Sequence, residues 1–318
     1  MPERVKTITI LVPVLNEEDS IAYFLDTVRN VIRNEPYQWK FLFVDDGSTD
    51  ATLSILRTLS ETDDSIGFLS LSRNFGKETA MAAGLRNAKG DAVIIMDVDL
   101  QDPPELIPQF LRKWEAGHAS VAGFRNSRSS DSFLKRTTAA GFYRVFNIFS
   151  KVKITPNTGD YRLLDRRVVE ALNLLPERVR FTKGLYAWVG FDEATVDFVR
   201  PERAKGQTKW NSWKLWNFAI DGISAFSSFP MRIWAYIGFL VAASSFLYAA
   251  YTFLKTLFFG VDVPGYSSLL ISILGLGGCI LMSLGIIGEY LGRIYEEVKL
   301  RPMYLLKEQG GVEKDSHE

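Results

Sequence analysis

Histidine is almost absent. Only His118 and His317 occur in 318 residues, so a histidine-based triad or a histidine-ligated metal has little to be built from. Cysteine is rarer still: the single Cys279 sits inside an apolar run, which excludes a disulfide framework or thiolate metal site and reads as a small apolar side chain. Charge of one sign is not in excess either, because 37 basic residues balance 37 acidic ones. That balance argues against a surface made for nucleic acid. There is no G-x-G-x-x-G after the first expected strand and no G-x-x-x-x-G-K-[ST] anywhere, which lowers the dinucleotide and P-loop readings. The opening "MPERVKTITILVPVLNEE" has no apolar signal core, so nothing points to secretion. Repeats and low-complexity tracts are also missing.

What the chain does have is two long uncharged stretches near its C-terminal end. "IWAYIGFLVAASSFLYAAYTFL" runs from Ile233 to Leu254, and "LLISILGLGGCILMSLGII" runs from Leu269 to Ile287. A helix of about 20 apolar residues crosses ~30 Å of hydrocarbon. Two buried core helices are the plain alternative, but core helices rarely stay uncharged on every face for so long. Spans at about 233–254 and 268–290 are therefore expected. Lys205, Lys209, Lys214 and Arg232 precede the first, and Arg293, Lys299, Arg301 and Lys307 follow the second, while the connection carries only Lys255 and Asp262. The positive-inside rule then puts both long flanking segments, and both termini, on the cytoplasmic side.

Two further segments mix aromatic and basic residues. "DSFLKRTTAAGFYRVFNIFSK", 131–151, places Phe133, Tyr143, Phe146 and Phe149 among Lys135, Arg136, Arg144 and Lys151. "WNSWKLWNFAIDGISAFSSFP", 210–230, carries Trp210, Trp213 and Trp216 at helical spacing. Both suit a lipid headgroup region. In a soluble protein the same pattern would be a core-facing helix; adjacency to a span favours the interface. The polar tail from Gln309 to Glu318 reads as disordered.

The first part alternates in βα fashion: "TITILVPV", a helix from Glu17 to about Ile32, "KFLFVDD", a helix opening at Ser48 to Asp50, "IGFLSLS", "KETAMAAGLRNA" and "DAVIIMDVD". Ile-, Val-, Leu- and Phe-rich strands separated by helical patterns predict an α/β fold with a mostly parallel sheet covered on both faces. Ligands bind beyond the carboxyl ends of such strands. There stand Asn16 and Glu17, Asp45 and Asp46, Arg73 and Asn74, and Asp97 and Asp99, which makes one polar crevice out of scattered residues.

Asp97 and Asp99, two apart at a strand end, project to one side if the backbone stays extended. Two close carboxylates without His or Cys suit Mg²⁺ or Mn²⁺, a metal that also holds phosphates, and Gln101 continues the same face. Asp102 is followed by Pro103 and, three residues on, by Glu105. It reads as a helix N-cap.

Taken together, "LVPVLNEE", "VDDGSTD", "RNFGKETAMAAGL" and "MDVDLQDPPE" resemble the catalytic domain of glycosyltransferase family 2, a Rossmann-like GT-A fold. "NTGDYRLLDR", "RFTKGLYAWVGF" and "VRPERAKGQTKW", followed by two apolar runs, are similar to the polyprenyl-phosphate glycosyltransferases, which include bactoprenol glucosyltransferases and dolichol-phosphate mannose synthases. The likeness extends from about Thr7 to Arg293 in unbroken motif order. Val98 departs from the small residue usual between the aspartates, and Lys205-Gly206-Gln207-Thr208-Lys209 departs from Ala-Gly-x-Ser-Lys.

The resemblance implies a layout of 1–209 as catalytic domain, 210–230 as interfacial helix, 231–293 as a two-helix membrane domain and 294–318 as a cytoplasmic end. It implies that Pro13, Asn16, Glu17 and Asp45 line the nucleotide pocket, with Lys77 near the nucleotide and Arg125 near the donor. Asp97, Asp99 and Gln101 would hold the metal, and Arg200, Arg203 and Lys209 would close over the diphosphate. Asp160 stands at the family's acceptor-side acid; it is a base, an orienting group, or an ion-pair partner of Arg162 or Arg166. Lys135, Arg136 and Arg144 are either ligands of the lipid phosphate or solvated residues over anionic lipid. The activity implied is inverting transfer of a hexose, glucose from UDP-glucose foremost, to undecaprenyl phosphate at the bacterial cytoplasmic membrane. GDP-mannose or a UDP-aminosugar is the alternative donor, and a non-catalytic membrane scaffold is the alternative of another class. The "GLGG" run admits close helix packing and a homo-oligomer, a tetramer among the options.

Overall fold

The computed structural model describes residues 4–125, 152–177, 180–199, 229–259 and 265–312. The expected helix at 131–151 and all but the end of the one at 210–230 lie outside the described residues, as do Lys135, Arg136, Arg144, Arg200, Arg203 and Lys209.

The chain begins β1 (Thr7–Val14), α1 (Ile21–Ile32), β2 (Gln38–Asp45), α2 (Thr52–Thr62), β3 (Ile66–Leu71), α3 (Lys77–Asn87) and β4 (Ala92–Ile95). A short 3₁₀ turn at Pro104–Leu106 leads into α4 (Ile107–Glu115), then β5 (Ser120–Arg125), β6 (Thr158–Asp165), α5 (Arg166–Asn173), α6 (Thr182–Trp188) and β7 (Glu193–Phe198). The long helices α7 (Phe229–Phe259) and α8 (Tyr266–Val298) follow, and β8 (Leu306–Gly310) ends the described chain.

The described strands form one sheet in the order β7-β5-β6-β4-β1-β2-β3-β8. β1 pairs in parallel with both β2 and β4, and β2 with β3. β6 runs antiparallel between β4 and β5, and β8 antiparallel along β3. The sheet is mostly parallel, as the alternating pattern predicts, and its direction of progress reverses between β1 and β4. That reversal is the topological switch point, where the loops leaving two neighbouring strands part and open a crevice.

Period-2 alternation along β1 separates two cores. Ile8, Ile10 and Val12 join Phe24 and Val28 of α1, Leu56 of α2 and Phe110 of α4 on one face, whereas Leu11 joins Ala80 and Met81 of α3, Val169 of α5 and Leu185 of α6 on the other. Gly84 explains how close α3 lies: a Cβ there would overlap the Leu11 side chain.

The C-terminal end corrects the reading of a disordered tail, because Gln309 and Gly310 belong to β8, paired with Leu69 and Phe68. Arg57 clasps Glu308 through two bonds of 2.6 and 2.5 Å, and Val312 packs against the α3-side core. A polar strand at a sheet edge is held by backbone bonds, which composition does not reveal.

Both uncharged runs are helical, within α7 and α8, which touch one another. Among the described residues, Gly275–Val298 is long and apolar enough to cross a membrane, while Tyr236–Tyr248 in α7 is apolar but shorter. Phe239, Phe246 and Leu247 on α7 and Ile280, Leu281 and Leu284 on α8 are each more than half exposed. An apolar surface of that extent is unfavourable in water and suits lipid.

Candidate active site

The crevice forms because each parallel strand hands over to a polar loop on the same edge. β1 loses its β4 neighbour after the Leu11–Ile95 pair, so Pro13, which has no N–H, sits where no β4 partner needs one. Asn16 then turns the chain with a φ of 54°. Its side-chain oxygen accepts from the Thr49 N–H at 2.8 Å, and its own N–H donates to the Ser48 hydroxyl at 2.9 Å. The Glu17 N–H donates to the Thr52 hydroxyl at 2.9 Å, and Ser20 donates to the Glu17 carboxylate at 2.7 Å. The ends of β1 and β2 are thus bound into one wall.

Asp45 closes β2 and is 1% exposed. Its carboxylate accepts from the Ser48 N–H at 2.9 Å and from the Ser70 hydroxyl at 2.7 Å, which ties β2 to β3. Asp46 accepts from the N–H groups of Phe75 and Gly76 at 2.7 and 2.8 Å. Burial nevertheless outweighs those bonds and raises its pKa above the usual carboxylate value. Gly47, with a φ of 73°, lies where a Cβ would overlap the backbone of Arg73 and Asn74. Only glycine lets the loops after β2 and β3 meet so closely.

Lys77 opens α3 and carries the charge centre. Its ammonium lies 2.7 Å from Asp97 and 3.4 Å from Asp160. Burial works against the cation, but the two carboxylates prevail and hold its pKa above the ordinary lysine value. Burial likewise would raise Asp160; Lys77, Lys183 and Arg162 outweigh it and hold the carboxyl below its usual range. One oxygen of Asp160, Oδ1, is buried and accepts no hydrogen bond among the described residues.

The aspartate pair differs from the extended form expected. β4 ends at Ile95, Asp97 precedes a turn formed by Val98 and Asp99, and Leu100 has a φ of 51°. Val98 is buried, Asp97 half-buried and Asp99 exposed, its carboxylate accepting from the Gln101 N–H at 3.1 Å. Gln101 is buried, and its side-chain oxygen has no partner among the described residues. These donors are all oxygens, the set a hard divalent cation takes. Asp102 also departs from expectation. The 3₁₀ turn starts one residue later, with Pro103 at its cap and no side-chain cap bond, so Asp102 is free of that duty. It lies buried with its carboxylate 3.8 Å from Arg125, and its charge acts on Lys77 and Tyr161.

The sequence-expected residues thus fall into linked groups. Asn16, Glu17 and Asp45 share the β1–β2 wall; Lys77, Asp97 and Asp160 share an ion cluster; Arg125 joins through Asp102 and lies beside Gly159, its Nη2 3.9 Å from where a Cβ there would stand. Sequence reasoning missed Glu78. It is half-buried beside the cluster and accepts from the N–H of Thr182 at 3.2 Å and from the Thr182 hydroxyl. Burial, then the charge of Asp160, pushes its pKa up to about 7. The signal was only "KE" in "GKETA", indistinguishable from a solvated first helical turn. Arg162, expected only as a possible partner of Asp160, is 2% exposed and instead bonds Glu193 and the Gly159 carbonyl, both at 2.9 Å.

Fold and site together define a GT-A-like α/β glycosyltransferase domain with a helical C-terminal extension. Residues 9–172 match the model of "Glycosyl transferase family 2", and residues 229–294 match that of the "GtrB C-terminal hairpin". The chain belongs to glycosyltransferase family 2. A glycosyltransferase of Synechocystis sp. is 49% identical over 306 residues, covering 96% of each chain. The bactoprenol glucosyl transferase of Shigella phage SfII is 52% identical over 300 residues, 94% of this chain and 97% of that one. A prophage bactoprenol glucosyl transferase homolog of Escherichia coli K12 is 50% identical over 300 residues, 94% and 98% of the two chains. Among solved structures, mannosyl-3-phosphoglycerate synthase from Rubrobacter xylanophilus covers 69% of this chain and 72% of its own at 18% identity, with a TM-score of 0.48.

Proposed function

We propose that the enzyme transfers glucose, with inversion, from UDP-glucose to undecaprenyl phosphate at the cytoplasmic face of a bacterial membrane. The observation that carries the reading is identity of about half, over nearly the whole length, to bactoprenol glucosyl transferases. The charge cluster at the switch point supports it independently. α7 acts as a second span beside α8, a role supported by its charge-free 233–254 stretch and by the hairpin match over 229–294. Catalytic domain and both termini then lie on the basic, cytoplasmic side. The homo-oligomer remains part of the reading through the glycines of α8.

Asp45, Asn16, Glu17 and Pro13 receive the nucleoside, and Lys77 and Arg125 face the phosphates and sugar. Asp97, Asp99 and Gln101 would hold Mg²⁺ or Mn²⁺, which when bound offsets the negative charge growing on the departing diphosphate. Arg200, Arg203 and Lys209 add positive charge over the diphosphate, and Lys135, Arg136 and Arg144 meet the lipid phosphate. An oxygen of the acceptor phosphate forms its bond to the anomeric carbon as the bond to UDP breaks, and UDP leaves with the electron pair. With a second pKa of about 6, a phosphate monoester is mostly a dianion at neutral pH and has no proton to give up. Asp160, itself held ionised, serves as an orienting charge for Lys77 and not as a base. A panel of sugar nucleotides assayed with undecaprenyl phosphate in detergent tests the reading. UDP-glucose should be preferred; preference for GDP-mannose or a UDP-aminosugar would replace the donor, and no turnover with any would leave the scaffold reading.

A further inference from the structure

β3 would be an edge strand but for the chain that returns from α8. Ser70 stands in the middle of a row, with Asp45 of β2 as its parallel partner and Glu308 of β8 as its antiparallel one. Residues in register on neighbouring strands present their side chains to the same face. On the inner side the Ser70 hydroxyl donates to the Asp45 carboxylate at 2.7 Å. On the outer side Glu308 is clasped by Arg57 of α2, the helix whose Thr52 hydroxyl accepts from the Glu17 N–H. The pairing of β8 shifts register between Ser70 and Leu71, an irregularity of the kind that re-aims a side chain beside a site. One step further, the Leu305 carbonyl accepts from the Ser72 N–H at 2.8 Å. Ser72 heads the loop whose Phe75 and Gly76 N–H groups hold Asp46. The far end is seated as closely: Gly311, with a φ of 63°, lies where a Cβ would overlap the Ile66 carbonyl oxygen.

The Glu308 and Leu305 fastenings both lead to the walls of the crevice, and residues 299–305 tie the same strand to the end of α8. That connection reaches no more than about 30 Å when fully extended, so a docked β8 keeps the crevice close to the hairpin. We propose, on the reading that Asp45 lines the nucleotide pocket, that β8 is a brace of that pocket with Glu308 and Leu305 as its positioning residues. They hold β3 so that Ser70 fixes the Asp45 carboxylate, and docking of the chain end and binding of a nucleoside diphosphate strengthen one another. Without β8 the Ser70 backbone loses its outer partner, and Asp45 loses a fixed donor. The linkage is reciprocal: the factor by which docking tightens the nucleotide is the factor by which the nucleotide tightens docking.

The test is amide hydrogen exchange of the full wild-type chain in detergent, with and without saturating UDP and Mg²⁺. UDP should slow exchange across 306–310 by about tenfold, the worth of one net hydrogen bond. It should leave β7, the strand at the opposite edge of the sheet, within about twofold. Glu308→Arg, which sets a cation against Arg57, should speed exchange of β8; joined to Gly311→Val, it should weaken UDP in titration by the same factor of about ten. Adding Arg57→Glu to Glu308→Arg should return β8 exchange towards wild type, a rescue that general misfolding would not allow. At saturating UDP-glucose the Glu308→Arg, Gly311→Val chain should keep kcat within about threefold, the loss lying in KM for the donor. If UDP leaves β8 exchange unchanged while Asp45→Ala abolishes UDP binding, the brace is overturned and the nucleotide reading stands. Equal slowing of β7 and β8 would report general stabilisation and overturn the brace as well. UDP binding that survives Asp45→Ala, or no UDP binding by the wild-type chain, overturns both.

Discussion

Asp160→Asn separates an orienting charge from a general base. The substitution keeps size and removes one negative charge 3.4 Å from the Lys77 ammonium. At an effective dielectric of about 20, the attraction lost is on the order of 5 kcal/mol before screening. Lys77 keeps its 2.7 Å contact with Asp97, and its side chain is 43% exposed, so most of that sum is screened or already satisfied. A net effect of about 1–3 kcal/mol, roughly 10- to 100-fold in kcat/KM, is expected. The decisive quantity is the pH profile. If Asp160 only orients, the acidic limb belongs to the acceptor phosphate, with its second pKa of about 6, and survives in the variant. The assay is initial UDP release between roughly pH 5 and 8, a window chosen to bracket that pKa, with UDP affinity measured alongside. Loss of the acidic limb, or a fall of about 10⁴-fold with UDP binding intact, the upper end for a lost base, would refute the orienting role.

Asp45→Ala should strand the Ser48 N–H and the Ser70 hydroxyl around a residue that is itself 1% exposed. A loss of about 2–4 kcal/mol in unfolding free energy is expected, together with loss of UDP binding by titration; unchanged UDP affinity would put the nucleotide elsewhere. Glu78 has a folded pKa of about 7 against an ordinary value of 4.5. Its folded state therefore holds a proton that the unfolded chain has already released, and the stability contributed is full below about 4.5, declines as pH rises, and is gone above about 7. Glu78→Gln should flatten that part of the thermal-stability profile, and an unaltered slope would show that another group sets it.

Much of the fold is written locally. β1 matches "TITILVPV" end to end, because continuous branched apolar runs have few alternatives in a parallel sheet. The strand-end polar residues were legible for the same reason, since each strand's length determines where its loop begins. β4 was not: "DAVIIMDVD" looks extended throughout, but pairing ends at Ile95 and a positive φ at Leu100 turns the chain, a conformation that leucine does not advertise. Asp102 carried the spacing of a cap, and a start shifted by one residue turned it toward Arg125 instead. Glu78 with Thr182, and β8 with β3, are contacts between segments 104 and more than 200 residues apart. Nothing in either segment alone marks the partner.

Metal-dependent release of UDP tests the central claim most directly. With UDP-glucose, undecaprenyl phosphate and Mg²⁺ or Mn²⁺, the purified full chain should release UDP in step with a glucosylated lipid. Chelation, or omission of the lipid phosphate, should stop both. Absence of UDP release with any sugar nucleotide, metal and lipid phosphate present, would contradict the account.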